Sequence, residues 1–297
     1  MESINSHAQN PAAFVQFAEA EYCAQIAQTA ADINAMNKPI VLIAGPSGSG
    51  KTVTAHRLRA ELENLGHRTH IISMDNYFMP LKSGLDGVDL ESPDRLDRAL
   101  FSEQAEKILA GEEVILPIFD FTNQGRSDGA AFRRGEGEVV IFEGIHMLNP
   151  LISGNLSENA ASVYVSVRTR ITDNDTVLHP SKIRLLRRFV RDKLYRGRDL
   201  LQTIQFFDNV ERGEKSYIMP FKHLADFDID TFIAYETCIY KKHVLPDLTT
   251  ANSKPDNPII AELTAFLRQL ADIADELVPN RSPVREFIGG NELMNSE

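Results

Sequence analysis

Gly45-Pro46-Ser47-Gly48-Ser49-Gly50-Lys51-Thr52 fits G-x-x-x-x-G-K-[ST] at every position. A loop of this kind turns backbone N–H groups inward around phosphate oxygens, and the positive end of the following helix adds to the attraction. Gly45, Ser47, Gly48, Ser49 and Gly50 would form the cradle. Lys51 would neutralise the β- and γ-phosphates of a nucleoside triphosphate, and the Thr52 hydroxyl would hold Mg2+. The plainer reading is a glycine-rich turn before a helix. It fits less well, because the loop follows the apolar run Ile40–Ala44 and opens a helical pattern, as the motif requires. A guanine-reading Asn-Lys-x-Asp is not formed: Asn37-Lys38 is followed by Pro39 and Ile40.

Two carboxylates stand at predicted strand ends. Asp75 follows the strand Thr69–Ser73, and Glu143 ends Val139–Phe142. In an open parallel sheet, ligands gather at the carboxyl ends of the strands. Asp75 is there either as a base for a hydroxyl attacking the γ-phosphate or as a capping aspartate. Glu143 is read as a ligand of Mg2+ or of its water, against the alternative of a polar strand end. The segment Lys182–Arg198 sets eight basic residues against a single acid, Asp192, and Arg184, Arg187, Arg188 and Arg191 follow helical spacing. A solvated basic face, a nucleic-acid patch and a lid over the transferring phosphoryl group compete. The lid accounts best for so many guanidinium groups, whereas aromatic interleaving is too thin for nucleic acid.

These residues need elements to hold them. Ile40–Ala44, Thr69–Ser73, Val139–Phe142, Ser162–Val167 and Asp226–Ile233 read as strands, with helices over Lys51–Leu65, Leu96–Ala110 and 182–198. Continuous apolar strands alternating with helices predict an α/β fold, a parallel sheet covered on both faces. Phe14, Ala18, Tyr22, Ile26, Ala30 and Ile33 form one stripe on an N-terminal amphipathic helix within 1–37 that packs on the core. Residues 38–250 form the main domain, with the lid at 181–199. Residues 251–297 hold a helix over Ile259–Leu277 and a tail after Pro279 that is expected to be mobile. Acidic residues outnumber basic ones 42 to 31, a formal charge of −11, which disfavours nucleic acid and anionic membrane as partners. Cys23 and Cys238 are too few for a disulfide scaffold and fit a reducing, cytoplasmic setting. The longest apolar stretch, Pro39–Ala44, is too short to span a bilayer.

Taken together, the motifs resemble the uridine kinase and phosphoribulokinase family of P-loop kinases. Ser73-Met74-Asp75-Asn76-Tyr77-Phe78 resembles S-x-D-x-F-Y, Glu91-Ser92-Pro93-Asp94 resembles D-H-P-D, and Pro117-Ile118-Phe119-Asp120-Phe121 resembles P-x-Y-D-F. Phe142-Glu143-Gly144-Ile145 matches F-E-G-I, and Arg187 to Asp192 with Arg196 to Asp199 resembles the arginine lid. Glu143 to Pro150 and Glu211 to Glu214 are similar to a bacterial nucleoside kinase subgroup. The resemblance implies a five-stranded parallel sheet, ATP with Mg2+, and phosphorylation of a nucleoside 5′-hydroxyl, uridine or cytidine first. It implies Asp75 as catalytic base acting with Lys51 and Arg191, Arg191 and Arg196 on ATP, and Glu91, Arg188 and Arg198 on the acceptor. The acceptor wall departs from the family: Phe119 replaces a Tyr, Phe78 a Tyr, Gln124 a His and Phe206 a Gln. Arg168–Ser181 is longer than usual. A kinase of a sugar, sugar phosphate or pantothenate-like metabolite, and an ATP-binding regulator, stay open as alternatives, as does a homo-oligomer.

Overall fold

The computed structural model describes residues 1–81, 89–173, 176–252 and 257–294. Its centre is a sheet of five parallel strands: β1 (Ile40–Ala44), β2 (Thr69–Ser73), β5 (Val139–Glu143), β6 (Ala160–Ser166) and β9 (Phe227–Asp230), in the order β2-β5-β1-β6-β9. The connections from β2 to β5 and from β6 to β9 add two hairpins outside the sheet, β3 (Glu113–Asp120) with β4 (Gly125–Arg133) and β7 (Ile171–Asp173) with β8 (Thr176–Leu178). Every residue of β1, β5 and β6 is buried, which is why these segments read as mainly apolar runs without alternation.

The pleat sends alternate residues into two cores. Val41, Ile43, Ile141 and Val163 meet a layer built from α2 (Pro11–Met36), α3 (Lys51–Asn64), α6 (Pro180–Tyr195), α8 (Glu236–Asn252) and α9 (Pro258–Arg268). Ile40, Leu42, Val140 and Phe142 meet α4 (Arg98–Leu109), the short α5 (Pro150–Ser153) and the β3–β4 hairpin. The remaining helices are α1 (Glu2–His7), α7 (Leu200–Gly213) and the one-turn α10 (Arg285–Ile288). The six stripe residues of α2 are all buried, and Tyr22 shares a hydrogen bond of 2.8 Å with Thr54 on α3. No helix among the described residues is long and apolar enough to cross a membrane.

Parallel register brings the functional strand ends to one level. Ser73 of β2 and Ile43 of β1 both pair with Glu143 of β5, and the glycine-rich loop starts two residues beyond Ile43. The long Arg168–Ser181 segment folds as the β7–β8 hairpin, with residues 174–175 outside the described ones.

Three expectations need correction. The helix foreseen over Ile259–Leu277 ends at Arg268; Leu270 and Ile273 stay buried in non-helical chain, so their apolar spacing reflects burial and not helix. A division at residue 250 falls inside α8, which runs unbroken to Asn252. The tail after Pro279 is docked over residues 279–294: Val284 is 1% and Phe287 0% exposed, and Asn291 donates to the Ser282 carbonyl at 3.0 Å. Phe287→Ala is expected to lower the unfolding free energy by about 3 kcal/mol in urea titration, the scale of a buried phenyl cavity. A mobile tail would leave the midpoint unchanged.

Candidate active site

The phosphate loop joins β1 to α3, and glycine is required along it. A Cβ on Gly45 would collide with the Val165 carbonyl, while Gly48 and Gly50 hold φ values of 75° and 86°, in the left-handed region. Gly50 caps α3, whose first backbone bond runs from Thr54 N–H to the Gly50 carbonyl at 3.0 Å. The N–H groups of Lys51, Thr52 and Val53 therefore precede the helical ladder; that of Val53 meets the Glu286 carboxyl, which leaves those of Lys51 and Thr52 as its free donors. Lys51 Nζ folds back onto the Pro46 carbonyl at 3.2 Å. Ser49 is fully buried, and its Oγ has no hydrogen-bond partner among the described residues.

The loop is clamped from outside. Arg184 Nη1 donates to the Ser47 carbonyl (3.2 Å), Arg187 Nη1 to the Gly48 carbonyl (3.2 Å) and Arg188 Nη1 to Ser47 Oγ (2.8 Å). The Thr231 hydroxyl donates to the Ser49 carbonyl at 2.5 Å. Arg187 is held in turn by Glu236, through Nε at 2.7 Å and Nη2 at 3.0 Å, and by the Thr231 carbonyl at 2.6 Å. Arg184 pairs with Glu214. The reading of Arg184 and Arg187 as members of a lid over phosphate is thus corrected: they are 3% and 1% exposed and are spent on holding the loop. Helical spacing told which face they share, not what packs against it.

Arg188, Arg191, Arg196 and Arg198 gather instead around Asp192, at 3.8, 3.3, 3.6 and 3.5 Å. Asp192 is completely buried, and its carbonyl also accepts the N–H of Arg196 and of Arg198. A single carboxylate thus organises the end of α6 and the turn after it. In the sequence Asp192 is the single acid of a basic run and the last residue of a lid motif, with no sign that four arginines would gather on it.

Around Lys51 stand acidic groups whose pKa values are raised. At the end of β2 a 3-10 turn, Met74–Tyr77, carries Asp75, whose N–H is accepted by Ser73 Oγ at 3.4 Å. Burial pushes the Asp75 carboxyl up, opposed by Lys51 and Arg196. Glu143 accepts from the Ser73 hydroxyl at 2.9 Å and is pushed up to about 7 by burial and by Asp75, with Lys51 opposing. Gly144 follows it because a Cβ there would strike the Met74 side chain. Glu91 is pushed up to about 7 by burial, against the pull of Arg188 and Lys51. Its Oε2 is buried without a hydrogen-bond partner among the described residues, and Gly213 at the end of α7 leaves it room. His146, 1% exposed, is kept neutral by burial, which lowers its pKa to about 4.

Two of the aromatic departures, Phe78 and Phe119, cluster with Phe121. Phe78, Phe119 and Phe121 meet edge to face, with centroids 5.8, 6.0 and 5.0 Å apart, and the Asn76 side chain accepts the Phe119 N–H at 3.2 Å. Gln124, at the hairpin turn with φ 51°, donates its amide to the Phe121 carbonyl at 2.7 Å. It is therefore engaged with its own hairpin and offers no free amide donor along that direction. Phe206 lies under the Arg198 guanidinium, 4.3 Å from its carbon to the ring centroid. Sequence reasoning missed Glu236, Thr231 and Glu286; the first two carry no motif, and the third lies in the tail.

A family model described as the phosphoribulokinase / uridine kinase family matches residues 40–237. The chain is 32% identical over 198 residues to a protein named uridine kinase from Lactobacillus helveticus, covering 64% of this chain and 86% of that one. It is also 32% identical over 199 residues to one of that name from Anoxybacillus flavithermus, covering 65% and 86%. Among solved structures, a D-glycerate 3-kinase from Cryptococcus neoformans superposes with a TM-score of 0.45 at 18% identity, covering 68% of this chain and 87% of that one. A likeness at that level has no bearing on the acceptor of this chain.

Glu143 gives the site a measurable pH signature. Its ordinary value is 4.5 and its folded value about 7, so between those limits the folded protein keeps a proton that the unfolded chain has released. The stability from this group is fully present below pH 4.5 and is lost as pH rises toward 7. Glu143→Gln removes that loss. Its unfolding free energy relative to the parent chain is expected to rise by roughly 2 kcal/mol between pH 5 and pH 8 in urea titrations. A gap independent of pH would show that Glu143 is not desolvated.

Proposed function

The chain belongs to the phosphoribulokinase / uridine kinase family, and from that premise we propose that it transfers the γ-phosphoryl group of ATP to the 5′-hydroxyl of a nucleoside, with uridine or cytidine the leading acceptor. The observation that supports this most is Asp75, a carboxylate at the end of β2 whose charge is opposed by Lys51 of the phosphate loop and by Arg196. A binding module has no use for a desolvated base beside the phosphate lysine, whereas a transferase must accept the proton of its attacking hydroxyl. Burial raises the carboxyl above the ordinary aspartate value, against the pull of Lys51 and Arg196, which makes it a readier proton acceptor.

The cradle fits a triphosphate: the glycine loop, the free N–H groups of the first turn of α3 and the unpartnered Ser49 hydroxyl are all present. Thr52 and Glu143 would hold Mg2+, and the raised pKa of Glu143 marks a carboxylate that gains by meeting a cation. When bound, the magnesium nucleotide would supply the phosphoryl group and a divalent cation to offset its negative charge. Lys51 then neutralises phosphate charge, and Arg191 and Arg196 stabilise what spreads over the transferred group. Asp75 orients the acceptor hydroxyl and takes its proton. Glu91 grips paired ribose hydroxyls, and Arg188 and Arg198 border them. Phe78 and Phe119 offer the base faces for stacking, which separates bases by shape and only weakly.

Asp75→Asn is nearly isosteric, so ATP affinity by calorimetry should stay within about twofold while phosphoryl transfer falls by about 10² or more. If affinity and transfer fall together, Asp75 is a metal or structural residue. If neither moves, another group is the base.

A further inference from the structure

The docked tail does more than cover apolar surface. Residues 275–294 cross the helical layer beside the phosphate loop and are fixed at several points. Arg57 Nη2 donates to the Arg281 carbonyl at 2.6 Å, and Tyr235 shares a hydrogen bond of 3.1 Å with Ser282. Arg285 closes the segment on itself by donating to the Asp275 and Val278 carbonyls at 2.9 and 2.8 Å. Phe287 lies under the Arg187 guanidinium, 5.1 Å from ring centroid to carbon, and meets Tyr240 edge to face at 6.2 Å. Gly289 abuts the Tyr195 hydroxyl at the end of α6, where a Cβ would collide.

Between the anchors Val284 and Phe287 stands Glu286. Burial pushes its carboxyl up, opposed by Arg191, Arg187 and Lys51 and by the N–H of Val53, which the carboxyl faces. Its Oε2 is buried with no hydrogen-bond partner among the described residues. It also adds to the charge that raises Glu143. A carboxylate against the first turn of α3, among the cations of the phosphate loop, sits where that loop attracts anions.

We propose that the C-terminal segment is an intramolecular competitor of the donor nucleotide, with Glu286 as the anion held against the phosphate loop until a triphosphate displaces it. The proposal rests on reading that loop as the donor site. Glu286 brings at most one negative charge, poorly hydrogen-bonded, whereas a triphosphate brings several and more acceptor oxygens. The strap thus lowers donor affinity without abolishing it, and whatever draws the tail away raises affinity. Linkage makes the effect reciprocal: nucleotide bound at the loop loosens the strap.

The test measures MgATP affinity by calorimetry, without acceptor, for the parent chain and for Glu286→Gln, which keeps the shape and the Phe287 anchor. Glu286→Gln should bind about tenfold more tightly, within the usual range of coupling between sites. Hydrogen exchange of the parent chain is the second readout: saturating MgATP should speed exchange in residues 282–290. Equal or weaker binding by Glu286→Gln, or protection of residues 282–290 by MgATP, would make Glu286 a structural or nucleotide-gripping residue and overturn the strap while leaving the donor site intact. Failure of both chains to bind MgATP would overturn the donor reading itself, and the strap with it.

Discussion

The ion pair of Arg187 and Glu236, with neither side chain more than 1% exposed, is the junction on which the site depends. Removing two charges from water costs several kcal/mol per ion, and only near-complete hydrogen bonding offsets it. Arg187 meets that demand by bonding Glu236 twice, the Thr231 hydroxyl and carbonyl, and the Gly48 carbonyl. Five segments converge there: α6, the turn after β9, the start of α8, the phosphate loop and, through Phe287, the tail. An uncompensated charge at this place would be costly, so the four segments that bond one another there, α6, the turn after β9, the start of α8 and the phosphate loop, are held to one arrangement. The loop presents its N–H groups as it does because its carbonyls are already taken.

From that junction the charge pattern follows. With Arg184 and Arg187 committed to the loop, the cations left to act on a ligand are Lys51, Arg188, Arg191, Arg196 and Arg198. The last four would repel one another if they were not gathered on the buried Asp192. Among them, burial raises Asp75, Glu91 and Glu143, so these groups hold protons more readily than ordinary carboxyls. A site in which guanidinium groups and reluctant carboxyls stand close together suits an anionic nucleotide, a cation and a hydroxyl that must lose its proton.

Sequence made the catalytic edge legible because its signals are local. The loop motif, the apolar strands and the carboxylates at their ends each sit within a few residues, and parallel register brings them together. The family resemblance added Glu91, whose segment has no periodicity of its own. What stayed hidden depends on distant partners. Nothing near Arg187 announces Glu236, 49 residues on. The β3–β4 hairpin is masked by exposed Ile115 and Ile118 and by a bulge between Ile115 and Pro117, which break the alternation of inward and outward residues. The tail resembled a mobile end because Gly289 and Gly290 flank few apolar residues. Of those few, Val284, Phe287 and Leu293 are buried.

The central claim is that the cleft moves a phosphoryl group from ATP onto a nucleoside hydroxyl, with Lys51 holding the phosphates. It is tested most directly by following the phosphorus itself. The protein is incubated with MgATP and uridine, cytidine or a purine nucleoside, and products are read by 31P NMR beside the Lys51→Ala chain. The account predicts a phosphomonoester resonance coupled to the 5′ methylene protons of the nucleoside, growing as ADP forms and absent with Lys51→Ala. ADP with inorganic phosphate alone, or the same ester from Lys51→Ala, would contradict it.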